Sequence, residues 1–268
     1  MKGVILAGGN ATRMYPNTAR TSKQMLPIYK VPMIFYPLNI LIKANIKDIY
    51  IITTPTFAGS FISMLEPMFR DFGIRFSMGV QEIPRGIPDA FIIAESFIAD
   101  DNVTLILGDN IFVDTDTIAN AIKNFTGGGH IFAKQVPDPQ RFGVATVAEG
   151  GVVTNIVEKP EKPKSNFAIT GAYIYDNRAV NVAHNLKPSA RKELEIVDLH
   201  NFYLQKGALQ FSEISGDWID AGTEDSYLDA CNMARDLHLY EAFDPIIKEA
   251  IESGYARYKS LSKRALKN

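Results

Sequence analysis

Cysteine is almost absent from this 268-residue chain: Cys231 stands alone, inside a segment patterned as a helix. A single thiol excludes an internal disulfide framework and a cysteine-based metal site. Net charge is also nearly absent, at −2 from 28 basic and 30 acidic residues. That balance suits neither a nucleic-acid surface nor an anionic membrane as partner. No stretch reaches the roughly 18 apolar residues of a membrane span. A strand begins within three residues of Met1 with no secretory apolar region before it, so a cytoplasmic protein is expected. The four histidines (His130, His184, His200 and His238) lack the spacing of metal ligands. The sequence suggests no Ser-His-Asp or Cys-His set, which disfavours covalent catalysis. Repeats, linkers and low-complexity tracts are missing as well, so one continuous domain is expected.

What is present is an ordinary globular composition, 46% hydrophobic and 22% charged, with enough apolar residues for a sizeable core. Apolar runs at 3–7, 49–53, 76–80 and 103–107 read as strands. Helical patterns at about 32–45, 58–70 and 88–99 separate them. Continuous apolar strands alternating with helices predict a doubly wound α/β sheet, mostly parallel and buried on both faces. Its ligand should lie beyond the carboxyl ends of the strands. From about residue 130 the texture changes to short β-like runs at 131–133, 143–147, 152–157 and 172–175, which predict antiparallel additions. Helices are expected at 193–206 and 223–238, and one or two amphipathic helices at about 241–265.

The first strand opens into Gly8-Gly9-Asn10-Ala11-Thr12-Arg13, and Ser22-Lys23-Gln24 follows. A glycine turn that leads into a helix N-terminus presents free N–H groups to an anion. Arg13 and Lys23 add fixed positive charge, so the loop suits several phosphates rather than one. A P-loop is excluded because no Lys-Ser or Lys-Thr follows a second glycine. A dinucleotide fingerprint is excluded because neither the G-x-G-x-x-G pattern nor the acidic residue about 20 positions on is present. Later come Gly108-Asp109-Asn110, Glu158-Lys159-Pro160, Thr170-Gly171 and Trp218-Ile219-Asp220. In that order, over roughly residues 1 to 230, these motifs resemble those of the sugar-1-phosphate nucleotidyltransferases.

The resemblance implies a Rossmann-like fold, with a nucleotide half at about 1–125, a sugar-binding half at about 126–238 and a shortened helical tail at 239–268 of the same domain. It implies transfer of a thymidylyl group from dTTP to glucose 1-phosphate, with Mg²⁺ held by Asp109 and Asp220. Arg13 and Lys23 would be catalytic. Leu6, Gly8, Gly9, Asn10, Ala11, Thr12 and Gln24 would bind the nucleotide, while Gln81 and Gly86 would contact the base. Asn110, Gly143, Glu158, Lys159, Tyr173 and Arg191 would hold the sugar phosphate. Either aspartate alone also reads as a turn residue or helix cap, and Glu-Lys-Pro alone as an exposed tripeptide; their order gives them weight. The family's usual assembly implies a homo-oligomer, tetramer or dimer. About two dozen fewer residues after Asp236, and the segment Ile111-Phe112-Val113 after Asn110, imply weak feedback inhibition by the nucleotide sugar.

Two positions depart from the family pattern. Ala11 stands where a third glycine is usual, and the neighbouring Asn10 is expected to take any left-handed conformation there. Asp89, in Gly86-Ile87-Pro88-Asp89, replaces a glutamine and puts an anion near the nucleotide site. Two alternatives follow: the same chemistry with UTP or another sugar 1-phosphate, and a nucleotide-sugar binder without turnover.

Overall fold

The structure is a computed structural model that describes residues 1–9 and 11–265. In chain order its elements begin with β1 (Lys2–Leu6), a small ribbon of β2 (Pro27–Ile28) and β3 (Val31–Pro32), α1 (Phe35–Lys43), β4 (Asp48–Thr53), α2 (Ala58–Phe69) and β5 (Arg75–Val80). Then come α3 (Asp89–Ile93), α4 (Glu95–Ile98), β6 (Val103–Leu107), β7 (Asn110–Phe112), α5 (Thr115–Asn124), β8 (Gly129–Gln135), β9 (Gly143–Val147), β10 (Val153–Glu158) and β11 (Phe167–Tyr175). The chain closes with α6 (Arg178–Asn185), α7 (Ile196–Gln205), β12 (Leu209–Glu213), β13 (Trp218–Asp220), α8 (Glu224–Asp236) and α9 (Pro245–Ala265).

Nine of the described strands form one mixed sheet. Its parallel half runs β5-β4-β1-β6, so the order reverses beside the first strand. The loops after β1 and β6 flank that reversal, the place where an open α/β sheet forms its ligand crevice. Beyond β6, the long β11 pairs antiparallel with β6, β8 and β9, and β10 extends the edge from β9. One pairing in this half is parallel, β12 on β8.

Side chains alternate between the two faces, as the pleat dictates. Ile5, Ile106, Phe132 and Ile174 point into one apolar cluster, with α1, α2, α5, α8 and α9. Their neighbours Val4, Leu105, Ile131 and Tyr173 point into the other, with α3, α4, α6 and α7. α1 is buried from Phe35 to Ile42, because it lies between the sheet and the C-terminal helix. Among the described residues no helix is long and apolar enough to cross a membrane.

Several expectations need correction. The helix expected at 88–99 is two short ones, broken at Ala94, whose φ of −90° and ψ of 6° leave the helical well. The expected helix at 32–45 starts only at Phe35, Pro32 belonging to the β2–β3 ribbon and the next two residues to a turn. The one expected at 193–206 starts at Ile196, because Ser189 to Leu194 form a loop. Helices α5 and α6 and the strands β7, β12 and β13 had no counterpart in the sequence reading. The glycine loop leads not into a long helix but into a single 3₁₀ turn at Thr12–Met14.

Candidate active site

Leu6 ends β1, and Gly8 and Gly9 line the cleft beyond it; Asn10 lies outside the described residues. Ala11 itself takes the left-handed conformation, at φ 43° and ψ 36°. The expectation had placed that strain on Asn10. Thr12 and Arg13 are exposed in the 3₁₀ turn, which Met14 anchors by burial. Arg13 makes no hydrogen bond within the described protein, and its Nη2 would lie 3.3 Å from a Cβ on Gly222, next to Asp220. Its charge acts on the neighbouring Asp220 carboxylate at the mouth of the loop, with no hydrogen bond tying it down among the described residues.

Lys23 is not free. Its side chain is only 10% exposed, and Nζ donates to Asp109 Oδ2 at 2.5 Å. Gln24 is buried behind the loop, under Gly108, where its Oε1 accepts from Ser22 Oγ at 2.7 Å. Packing thus draws Gln24 away from the cleft lining, where a nucleotide contact was expected.

Asp109 and Asp220 come from segments far apart in sequence, and β7 and β13 bring them together. The two strands pair antiparallel with Asp220 opposite Asn110, and Ala221 N donates to Asp109 O at 2.9 Å. Immediately beyond, Thr223 and Ser226 form a capping box that starts α8 and fixes the exit of the chain. Asn110 locks the junction. Its Nδ2 donates to Asp109 Oδ1 at 3.0 Å, while its Oδ1 accepts from Gly171 N at 2.9 Å and Trp218 Nε1 at 2.7 Å. A sugar contact was expected of Asn110; its amide is engaged on both sides, and the residue also lines the recess shared by Gly143 and Tyr173.

The two carboxylates are electrostatically unequal. Burial and the neighbouring Asp109 carboxylate push Asp220 up to about 6. Burial opposes ionisation of Asp109 as well, but the Lys23 ammonium outweighs it and holds Asp109 below the ordinary carboxylate range. Asp220 Oδ1 is buried and has no hydrogen-bond partner among the described residues. An acceptor-only oxygen left open beside a second carboxylate fits a hard divalent cation. No group of three acidic, histidine or cysteine residues gathers among the described residues. Such a cation would complete its shell with phosphate oxygens and water, as Mg²⁺ commonly does.

Across the cleft, Glu158 ends β10 and Lys159 follows in a left-handed conformation at φ 41°. Arg191 Nη2 donates to Glu158 Oε1 at 2.9 Å and to Glu195 Oε2 at 2.6 Å. Glu195 had not been singled out. Burial pushes its carboxyl up, but Arg191 and Ser189 hold it below its ordinary value. Gly143 and Tyr173 line the adjoining recess, with Trp218 and Arg141. Trp218 was also missed as a site residue; its partners Asn110 and Phe142 are distant in sequence.

The end of the cleft where a base contact is expected is formed by Gln81, just after β5, and Gly86. Gly86 has φ 103°, and a Cβ there would sit 2.1 Å from Leu194 O, so only glycine fits. Asp89 does not face the phosphate region as an extra anion. It is buried and bonded to Arg85 and Gln81.

The nucleotidyl transferase family profile matches residues 2–236, nearly the whole sheet and all of the residues above. The chain belongs to that family. This nucleotidyltransferase is 49% identical over 240 residues to glucose-1-phosphate thymidylyltransferase of Neisseria meningitidis, covering 88% of this chain and 83% of that one. It is 40% identical over 271 residues to the enzyme of the same name from Mycolicibacterium smegmatis, with 99% and 93% covered. A solved structure from Bacillus anthracis, assigned as a glucose-1-phosphate thymidylyltransferase in complex with a sucrose, superposes with a TM-score of 0.81. It is 42% identical, over 88% of this chain and 96% of that one. The doubly wound sheet with its antiparallel additions is therefore the nucleotidyltransferase fold.

Proposed function

We propose that this nucleotidyltransferase transfers a thymidylyl group from dTTP to glucose 1-phosphate, releasing pyrophosphate. One observation carries the reading: the unpartnered Asp220 Oδ1 lies with Asp109 and Arg13 beside the glycine loop, facing a cleft whose far wall holds Glu158, Lys159 and Arg191. The names of the relatives give the nucleotide and the sugar.

In this reaction a phosphate oxygen of the sugar 1-phosphate forms a new bond to the α-phosphorus, and the bond from that phosphorus to the leaving pyrophosphate breaks. The nucleophile is already an anion, so no general base is required, and catalysis rests on positioning and charge neutralisation. Arg13, which makes no hydrogen bond to a protein carboxylate, stabilises the charge that grows on the leaving pyrophosphate. Lys159 and Arg191 hold the attacking phosphate against its repulsion by the triphosphate, and Glu158 orients the sugar through a hydroxyl. Gly8 and Gly9 let the triphosphate approach the backbone closely. Asp109 and Asp220 would hold Mg²⁺, which when bound neutralises phosphate charge. Lys23 keeps Asp109 ionised and aimed. At the base end, Gln81 and the Gly86 backbone read the pyrimidine edge. The reading carries with it a cytoplasmic homo-oligomer.

The test is pyrophosphate release with Mg²⁺ and glucose 1-phosphate, comparing dTTP with UTP. Release that requires both substrates and favours dTTP is expected. A preference for UTP would overturn the nucleotide, and dTTP binding without any release would overturn turnover with this sugar.

A further inference from the structure

Asp89 is 1% exposed, at the start of α3 directly behind the base end of the cleft. Its two carboxylate oxygens have separate partners. Oδ1 accepts from Arg85 Nη2 at 2.6 Å, and Oδ2 accepts from Gln81 Nε2 at 2.8 Å. A carboxylate has no proton to give, so the end of the Gln81 amide facing it must be the NH₂. The orientation of that amide is thereby chemically determined. The other end, Oε1, reaches toward the cleft, 3.1 Å from where a Cβ on Gly8 would lie, and accepts no hydrogen bond among the described residues.

We infer that Asp89 is a positioning residue for base selection: it locks Gln81 with its acceptor oxygen, Oε1, turned toward the cleft. Thymine and uracil carry an N3–H donor and match it. Cytosine carries a lone pair at N3 and does not, and facing two acceptors costs the site a hydrogen bond. Asp89 therefore separates dTTP from dCTP and is silent between dTTP and dUTP, which differ only in a methyl group. The inference rests on the proposed reading in which Gln81 meets the base.

Arg85 gives the lock its direction. Its own carbonyl accepts from Leu194 N at 2.7 Å, which fixes the backbone from which the guanidinium reaches Asp89. In Asp89→Asn one acceptor becomes a donor. Arg85, a cation with only donors, claims the single remaining oxygen. The introduced NH₂ then faces Gln81, whose amide must turn its oxygen inward and its NH₂ into the cleft. Removing Arg85 as well frees the introduced amide to turn back.

The experiment measures kcat/KM for dTTP, dUTP and dCTP in the wild type, Asp89→Asn, Asp89→Asn with Arg85→Ala, and Gln81→Ala. The single Asp89→Asn change should lower the dTTP/dCTP ratio by roughly tenfold, the worth of one hydrogen bond to a buried group. The dTTP/dUTP ratio should stay as it was, and the added Arg85→Ala should restore much of the lost ratio. A variant that merely folds less well lowers all three substrates in proportion and moves no ratio. A dTTP/dCTP ratio that stays within about twofold in Asp89→Asn but falls in Gln81→Ala overturns the role of Asp89 alone. A ratio that survives Gln81→Ala overturns the base-reading assignment beneath it.

Discussion

Ala11 holds a left-handed backbone that glycine would adopt without cost. For an L-residue this conformation costs about 1–2 kcal/mol, offset in part by the larger entropy glycine loses on folding, about 0.5–1 kcal/mol. Ala11→Gly should therefore stabilise the protein by about 0.5–1 kcal/mol, a rise of roughly 1–4 °C in Tm for a chain of this size. Calorimetry reads it directly, and a fall in Tm would mean that the Ala11 methyl supports the loop. Arg13 is the opposite case, an exposed cation beside Asp220 that no hydrogen bond among the described residues holds in place. Arg13→Ala should lower kcat by roughly 10²-fold or more, as removal of one charge-stabilising donor does elsewhere. A loss under about threefold in steady-state kinetics would remove it from the machinery. Arg13 and Ala11 could be singled out in the sequence because they sit within a few residues of the glycine turn. Trp218 could not, because its partner Asn110 is brought close only by folding; Glu195 stands four residues from Arg191, a local i,i+4 signal that the sequence did carry.

At the scale of elements, the parallel strands were legible because burial on both faces leaves continuous apolar runs with no polar alternation to confuse them. The helices α5 and α6 were not. Each buries only a narrow stripe, such as Ile118, Ala119 and Ile122 in α5, among polar residues. The three-residue strands β7 and β13 have too few positions for any period to register, yet they are what joins Asp109 to Asp220. The segment after β5 shows how a single backbone position can hold an element pair. Gly86 bridges Leu194, and the backbone of Arg85 bonds the same residue. Gly86→Ala places a methyl against Leu194 O and requires a positive φ, so it should destabilise the protein by about 2 kcal/mol or more. It should also raise KM for dTTP more than KM for glucose 1-phosphate. Equal effects on the two KM values would show that the bridge does not shape the base end of the cleft.

For the whole molecule, pH dependence of stability has one clear contributor on the sheet face away from α9. His200 is buried on α7, with Nδ1 2.6 Å from the Tyr175 hydroxyl and Nε2 without a partner among the described residues. Desolvation pushes it down to about 3. Between that value and its unfolded value near 6.5 the unfolded chain binds the extra proton, so stability falls as pH falls through this window and is intact above it. The slope from this residue is about 1.4 kcal/mol per pH unit. Chemical denaturation at a series of pH values should show that His200→Gln removes this slope, so the variant loses less stability than the wild type between pH 6 and 4. A parallel fall in both proteins would assign the acid sensitivity elsewhere.

The long strand β11 is hydrogen-bonded to β6 of the parallel half and to β8 and β9 of the antiparallel half. One ladder thus runs under both proposed substrate regions, with no flexible joint between them. Capture of the two substrates cannot proceed by a clamshell swing of halves and must fall to loops such as those carrying Arg13, Lys159 and Arg191. The radius of gyration from X-ray scattering should then be the same with and without both substrates, while amide exchange slows in those loops alone.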